Sequence, residues 1–176
     1  MQDFAAVKSE MGEYWYIRPG LEESVNGYFS AQPEADMALE SQIPEKDFNQ
    51  AGKGSAEVKN LLKRLGVDPG ILRRVAVAAY EAEINVAAHS LGGMMECRIY
   101  DEFIHIIFKD MGPGIADIEQ AMTPGYSTAD DMVRELGFGA GLGLPNIKKN
   151  SDALHILSER GNPTLLEFII YFMSDE

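Results

Sequence analysis

The segment from Asp68 to Ser90 carries the clearest structural signal in the sequence. Asp68 followed by Pro69 is typical of a helix start, because the aspartate side chain can accept hydrogen bonds from free backbone N–H groups and proline fits the first turn. Apolar residues then recur at intervals of three and four until the "LGG" that ends the segment. The chain must therefore place one long helix against a core, and the predicted buried face contains Leu72, Val75, Ala79, Ala82 and Val86.

The same helix carries a polar stripe. Glu81, Asn85 and His89 are spaced by four residues, so they lie on one helical face, one turn apart. The small residues Ala78 and Ala82 share that face and leave room for a ligand beside it. A carboxamide oxygen can ligate Mg²⁺, and a carboxylate can accept a proton from an attacking hydroxyl. Taken alone, however, the spacing is more often that of an ordinary solvated helix face.

Strand and helix patterns are mixed along the rest of the chain, whereas residues 1–36 show no sustained period. This order predicts an α+β fold in which a mixed β-sheet is covered by helices on one face. The predicted elements are a strand over 38–48 interrupted by Pro44, an amphipathic helix over 49–66, a hairpin over 94–109, a short helix over 115–122, a helix from Gly143, and two strands that flank the turn 160–163.

The sequence "DMGPGI" follows the second strand of the predicted hairpin. It places Asp110 at a strand end and Gly112 and Gly114 in a tight turn. A carboxylate in this position can accept a hydrogen bond from an exocyclic amine such as that of adenine, and the glycines would let the base approach the backbone. An ordinary turn with aspartate at its first position is an equally good interpretation of this stretch alone.

A second glycine-rich stretch, "GFGAGLGLPNIKK", has alternating glycines that stop where a helix begins. Successive free N–H groups followed by a helix N-terminus form an anion site, which favours phosphate binding over a flexible loop. The stretch is not a P-loop, because that motif needs lysine and then serine or threonine, whereas Leu144 follows Gly143. It also lacks the context of the dinucleotide-binding fingerprint, which opens a βαβ unit.

The composition excludes several classes of protein. The formal net charge of −13 would repel a polyphosphate backbone, so nucleic acid is not an expected partner. No stretch is long and apolar enough to span a bilayer, and the N-terminus does not resemble a secretory signal. The single cysteine, Cys97, can form neither an internal disulfide nor a cysteine-based zinc site. We therefore expect a cytoplasmic protein.

These motifs occur in a fixed order: "EAEINVAAHS" on a helix, a hairpin into "DMGPGI", a variable loop, "GLGLPNIKK", and a threonine before the last strand. In this order they resemble the GHKL ATPase superfamily, with its Bergerat-type ATP-binding fold. "PGYST" followed by "GLGLPNIKK" is similar to the small bacterial serine kinases that act as anti-sigma factors or switch proteins. The resemblance covers roughly residues 39–172 and implies a two-layer α/β sandwich that binds ATP or ADP with Mg²⁺.

The resemblance implies a role for each matching residue. Glu81 would be the catalytic general base, and Asn85 would hold Mg²⁺ against the phosphates. Asp110 would bind the adenine amine, and Thr164 would assist through water. The other expected nucleotide-binding residues are His89, Gly112, Gly114, Ile115, Gly139, Gly141, Leu142, Gly143 and Leu144, and residues 115–140 would form a lid.

Two functions follow from the resemblance. The first is a serine/threonine protein kinase and anti-sigma regulatory factor that phosphorylates a small STAS-type antagonist in a bacterial partner-switching pathway. The alternative is a nucleotide-binding module that sequesters a sigma factor without phosphoryl transfer. A detached histidine-kinase ATPase domain is disfavoured, because no histidine precedes His89. We expect an ATP-binding kinase domain over 37–176 and an extension of unknown role over 1–36, and a homodimer stays open.

Overall fold

The computed structural model describes residues 8–10, 12–126 and 142–173. Its centre is one seven-stranded sheet with the strand order β1-β2-β6-β7-β5-β4-β3. The strands are β1 (Lys8–Glu10), β2 (Glu13–Ile17), β3 (Met37–Ile43), β4 (Gly93–Ile99), β5 (Phe103–Asp110), β6 (Ala153–Leu157) and β7 (Leu165–Tyr171).

The predicted α+β fold is confirmed, but the sheet is antiparallel rather than mixed. Every neighbouring pair of these strands is antiparallel. Strands β5 and β6, which are joined through a helix, do run in the same direction. They are not neighbours, however, because β7 lies between them and pairs with both. The prediction of a mixed sheet was wrong because sequence patterns indicate the direction of consecutive strands. They do not show that a later strand, here β7, lies between β5 and β6.

The described helices are α1 (Glu22–Ala31), α2 (Lys53–Arg64), α3 (Pro69–His89), α4 (Ile118–Ala121) and α5 (Gly143–Asn150). The start predicted for α3 is confirmed: one oxygen of Asp68, Oδ2, accepts hydrogen bonds from the backbone N–H groups of Gly70 at 2.9 Å and Ile71 at 3.3 Å. No helix in the described ranges is both long and apolar enough to cross a membrane.

Helices α2, α3 and α5 cover one face of the sheet and enclose the main core. From α2 this core takes Val58 and Leu62, which have no exposed surface. Leu65, the residue just beyond the helix, is 51% exposed. On the sheet side the core includes Met95, Cys97, Ile104, Ile106, Phe108, Leu154, Ile156, Phe168 and Ile170.

The opposite face of the sheet is also covered by a helix, which corrects the expectation that helices lie on one face. Helix α1 packs Val25 and Tyr28 against Ile17 and Ile169 in a second apolar cluster. Residues 13–17 meanwhile form β2, which pairs with β6 along its whole length. The described part of the N-terminal extension is thus hydrogen-bonded into the sheet, and its helix was not predicted from the sequence.

A chain of hydrogen-bonded polar side chains joins this extension to the sheet. The carboxylate of Glu167 accepts hydrogen bonds from His105 Nε2 at 2.7 Å and His155 Nδ1 at 2.8 Å. His155 Nε2 also contacts Glu13 Oε1 at 2.8 Å, and His105 Nδ1 contacts the Tyr28 hydroxyl at 2.7 Å. Both histidines are buried, as their positions inside apolar strands predicted.

Candidate functional site

The polar stripe of α3 faces the beginning of α5. A Cβ placed on Gly143 would lie 3.3 Å from both Asn85 Oδ1 and Glu81 Oε2. The other carboxylate oxygen of Glu81, Oε1, is 3.4 Å from the amide nitrogen of Asn146, one turn further along α5. Glu81, Asn85 and Gly143 are therefore brought together as predicted, with a carboxylate and an amide oxygen beside a helix N-terminus.

The packing of α5 explains this arrangement. Leu144 and Ile147 are buried in the main core and hold the helix in place. Gly143 precedes them and contacts α3, whereas Leu142 is 49% exposed. A Cβ at position 143 would make tight contacts with the two polar side chains of α3, which would have to shift by a few tenths of an ångström.

His89 lies at the edge of this arrangement. It is the last residue of α3 and its side chain is exposed. It stands two turns from Glu81, roughly 12 Å along the helix axis. Gly139 and Gly141, which were also predicted to bind phosphate, lie outside the described residues.

The Asp110 turn is held by one of the two carboxylate oxygens. Oδ1 of Asp110 accepts hydrogen bonds from the backbone N–H groups of Gly112 and Thr164, both at 2.8 Å. The backbone N–H of Asp110 in turn donates to the carbonyl of Thr164 at 3.0 Å. Within the described ranges nothing donates a hydrogen bond to Oδ2. The side chain is thus fixed in orientation while one of its oxygens keeps its acceptor capacity.

Gly114 and Ile115 are joined to the segment that precedes β7. A Cβ on Gly114 would lie 2.0 Å from the carbonyl oxygen of Glu159, so no side chain fits there, and its φ is +85°. The backbone N–H of Ile115 donates to the Ser158 hydroxyl at 2.7 Å. Ser158 Oγ lies 2.5 Å from Thr164 Oγ1. The Ser158 hydroxyl therefore contacts both Ile115 and Thr164 and holds these two residues close together.

The contact between α3 and α5 and the Asp110 turn are the two parts of the site, and they lie at the same end of the molecule. The loop after α3 is hydrogen-bonded to the Asp110 turn, because Leu91 N–H donates to the Gly112 carbonyl and Met111 N–H donates to the Gly92 carbonyl, both at 3.0 Å. Gly112 has a φ of +95°, which few residues other than glycine adopt readily.

Two side chains that support this region were missed in the sequence. Ser158 is buried and lies two residues after Ile156, on the inward side of the alternation in β6. Glu83 is also buried, and its carboxylate accepts hydrogen bonds from the backbone N–H groups of Gly52 and Gly54 before and within the first turn of α2. Burial raises the pKa of Glu83, while these backbone N–H groups and that of Ser55 act to lower it.

A signal for Glu83 was present in the sequence. It falls at helical spacing with Ala79, Ala82 and Val86, so it belongs to the apolar face of α3 rather than to the polar stripe. A carboxylate on a buried face needs hydrogen-bond donors, and the first turn of a nearby helix supplies them. Within the described ranges, no cluster of three or more His, Cys, Asp or Glu side chains is placed to hold a metal ion.

Comparison with known proteins agrees with this geometry. Residues 45–168 match the histidine kinase-like ATPase domain family. Because the match spans well over half of the chain, the protein belongs to this family, and the resemblance stated from the motifs is confirmed. The family also accounts for the sheet-and-helix fold and implies nucleotide binding.

Some individual proteins are also similar in sequence to this chain. An anti-sigma F factor of Clostridium novyi (strain NT) is 33% identical over 96 residues, which are 51% of this chain and 64% of that protein. The serine/threonine-protein kinase RsbT of Bacillus subtilis (strain 168) is 30% identical over 115 residues, 63% of this chain and 80% of that protein. The match thus spans just under two thirds of the length of the first relative.

Another anti-sigma F factor, from Clostridium beijerinckii, is 33% identical over 106 residues, which are 56% of this chain and 71% of that protein. Among solved structures, a chain of the SiaB–SiaC complex from Pseudomonas aeruginosa is 13% identical, with a TM-score of 0.49. The similarity covers 85% of this chain and 96% of that one. A TM-score of this size defines neither the fold nor a partner.

Proposed function

We propose that this protein binds Mg-ATP and transfers the γ-phosphoryl group to a seryl or threonyl hydroxyl of a small STAS-type antagonist. The observation that carries the proposal is the convergence of Glu81, Asn85 and the start of α5 at Gly143. In this arrangement Glu81 would be a proton acceptor and Asn85 a hard oxygen ligand, both beside a helix N-terminus. Phosphoryl transfer needs these groups, because its rate depends mainly on positioning and on neutralising phosphate charge.

The purine would lie against the Asp110 turn. Asp110 keeps one oxygen without a hydrogen bond from the described residues, and Thr164 is held beside it by two backbone contacts. An acceptor next to a hydroxyl matches the edge of adenine, which presents an exocyclic amine beside a ring nitrogen acceptor. Guanine presents the reverse pattern, so this pair supports adenine as the base.

The phosphates would lie between α3 and the first turn of α5. The first-turn N–H groups of Gly143 and Leu144 have no partner within their own helix and would face the anion. Asn85 Oδ1 is a hard oxygen donor suited to Mg²⁺, which keeps several waters and takes few protein ligands. When bound, the ion would neutralise phosphate charge. Glu81 would accept the proton of the acceptor hydroxyl.

The net charge of the chain and the names of its relatives both support a protein partner. The net charge of −13 favours a basic protein surface over an anionic one. The relatives include a named serine/threonine kinase and two named anti-sigma factors, which supports a cytoplasmic partner-switching role. Self-association into a homodimer is a second interaction to measure.

The test is transfer of label from γ-labelled ATP to candidate STAS-type proteins. We expect Glu81→Gln to lower transfer by roughly 10²- to 10⁴-fold while nucleotide binding persists, because only proton abstraction is removed. Glu102→Gln is the matched control, since Glu102 is exposed at the opposite end of the β4–β5 hairpin. Transfer that continues undiminished in Glu81→Gln would reject the assignment of the base, and a wild-type chain that binds no nucleotide would reject the function.

The alternative function is sequestration of a sigma factor without phosphoryl transfer. It is favoured by the two relatives named as anti-sigma factors. The same labelling experiment separates the two functions. A wild-type chain that binds ATP and retains a sigma factor on a column, but labels no acceptor, would be a nucleotide-dependent binding module.

A further inference from the structure

The hydroxyl of Ser158 has two neighbours within hydrogen-bond distance. It accepts a hydrogen bond from the backbone N–H of Ile115 at 2.7 Å. Its oxygen also lies 2.5 Å from Thr164 Oγ1. Ser158 is 4% exposed and Thr164 is 9% exposed, so water has little access to either group. The direction of the hydrogen bond between the two hydroxyls therefore matters for both.

One direction satisfies the hydroxyl that is the more deeply buried of the two, that of Ser158. If Thr164 donated to Ser158, the Ser158 oxygen would accept two hydrogen bonds and its own hydrogen would have no acceptor within the described ranges. A buried donor without a partner is costly. If Ser158 donates to Thr164 instead, Ser158 gives one hydrogen bond and receives one. The hydrogen of Thr164, the less buried of the two hydroxyls, is then the one without an acceptor among the described residues, and it is available to a ligand.

We propose that Ser158 is a positioning residue that sets Thr164 as a hydrogen-bond donor toward the N1 edge of an adenine ring. The inference rests on the proposed nucleotide site. With the free Asp110 oxygen as acceptor and the Thr164 hydroxyl as donor, the pair matches the amine and the N1 acceptor of adenine. Ser158 thus contributes to base specificity without contacting the base. Through the backbone N–H of Ile115 it also holds the segment after the Asp110 turn.

The test asks whether Ser158 affects binding through one ligand atom, N1 of adenine. Binding of ADP and of 1-deaza-ADP, in which a C–H group replaces N1, is measured by calorimetry for the wild-type chain and for Ser158→Ala. We expect the wild type to prefer ADP by about tenfold, the size of one hydrogen bond, and Ser158→Ala to reduce this preference to about twofold. A serine with a purely structural role would weaken both ligands equally and leave the ratio unchanged.

Ser151→Ala is the matched control, because Ser151 is also buried but ends α5, where its hydroxyl bonds to the Ile147 carbonyl. It should keep the wild-type ratio. If Ser158→Ala does not fold, Thr164→Val removes the same contact from the other side and must lower the ratio as well. A ratio that Ser158→Ala leaves unchanged overturns the role of Ser158, as does a wild type that binds both ligands equally, while nucleotide binding stands. A wild type that binds neither ligand overturns the proposed function and this inference together.

Discussion

Gly114 occupies a position in the Asp110 turn where the surrounding backbone excludes any side chain. A Cβ there would lie 2.0 Å from the Glu159 carbonyl oxygen and 2.6 Å from that of Asn162. We expect Gly114→Ala to lower the free energy of unfolding by more than about 3 kcal/mol and to weaken nucleotide binding, because the turn must move away from the segment between β6 and β7. Urea unfolding and a nucleotide titration would measure the two effects.

Gly161 provides the control for this substitution. Its φ of +87° is close to the +85° of Gly114, but a Cβ there meets nothing within 4 Å. Gly161→Ala should therefore cost only the strain of a left-handed backbone, about 1–2 kcal/mol. Equal losses in the two variants would show that the carbonyl contacts do not constrain Gly114.

Residues that form a site through local geometry could be predicted from the sequence, and those that act at long range could not. The polar stripe of Glu81 and Asn85 follows from helical spacing, and the turn after Asp110 follows from its glycines. Ser158 acts on Ile115 and Thr164, and its bond to Ile115 crosses 43 positions of sequence. The role of Glu83 depends in the same way on Gly52 and Gly54, which no local pattern connects to it.

Among the helices, α3 was predicted almost to the residue, whereas α1 was not predicted. The limits of α3 are set by signals inside the segment, namely the Asp68 cap and the regular apolar spacing. Helix α1 starts at Glu22 after Leu21, which provides no side-chain cap, and its inward residues Val25 and Tyr28 are stabilised by a sheet face built from distant strands. Tertiary contacts rather than local propensity therefore account for α1.

The contact between α1 and the sheet should depend on acidity. Burial alone would raise the pKa of Glu167, but hydrogen bonds from His105 and His155 lower it to about 2. Because this lies below the ordinary carboxyl pKa of 4.5, the carboxylate stabilises the folded state above pH 4.5, and the contribution is lost as the pH falls from 4.5 toward 2. Glu13 contacts His155 and Tyr28 contacts His105, while Arg98 lies opposite His105 on β4.

We expect Glu167→Gln to remove about 3 kcal/mol of stability at pH 7, since a pKa unit corresponds to about 1.4 kcal/mol. Its stability should also fall less steeply than that of the wild type between pH 5 and pH 3. Urea unfolding at a series of pH values gives both quantities. Glu40→Gln, on the exposed edge strand β3, should follow the wild-type curve. Parallel curves for Glu167→Gln and the wild type would contradict the link between this carboxylate and acid stability.

At the scale of the whole molecule, the described part of the N-terminal segment belongs to the fold and is not an appendage. Strand β2 completes the hydrogen bonding of β6, and Ile17, Val25 and Tyr28 supply half of the buried residues of the second apolar cluster. The segment nevertheless lies outside the family match, which begins at residue 45. Whether the ATP-binding domain predicted over 37–176 folds by itself can therefore be tested.

We expect a chain that begins at residue 37 to fail this test. It would leave the edge of β6 unpaired and would lose four buried side chains, namely Tyr14, Ile17, Val25 and Tyr28, each worth about 1.5–3 kcal/mol. The loss, roughly 5 kcal/mol or more, is comparable to the whole stability of many domains. Thermal unfolding with and without ADP would measure it, and full-length Val25→Ala, which removes one of the buried contacts, should lie between the two chains. A truncated chain that unfolds at the wild-type temperature and still binds ADP would show instead that the extension is a separate attachment.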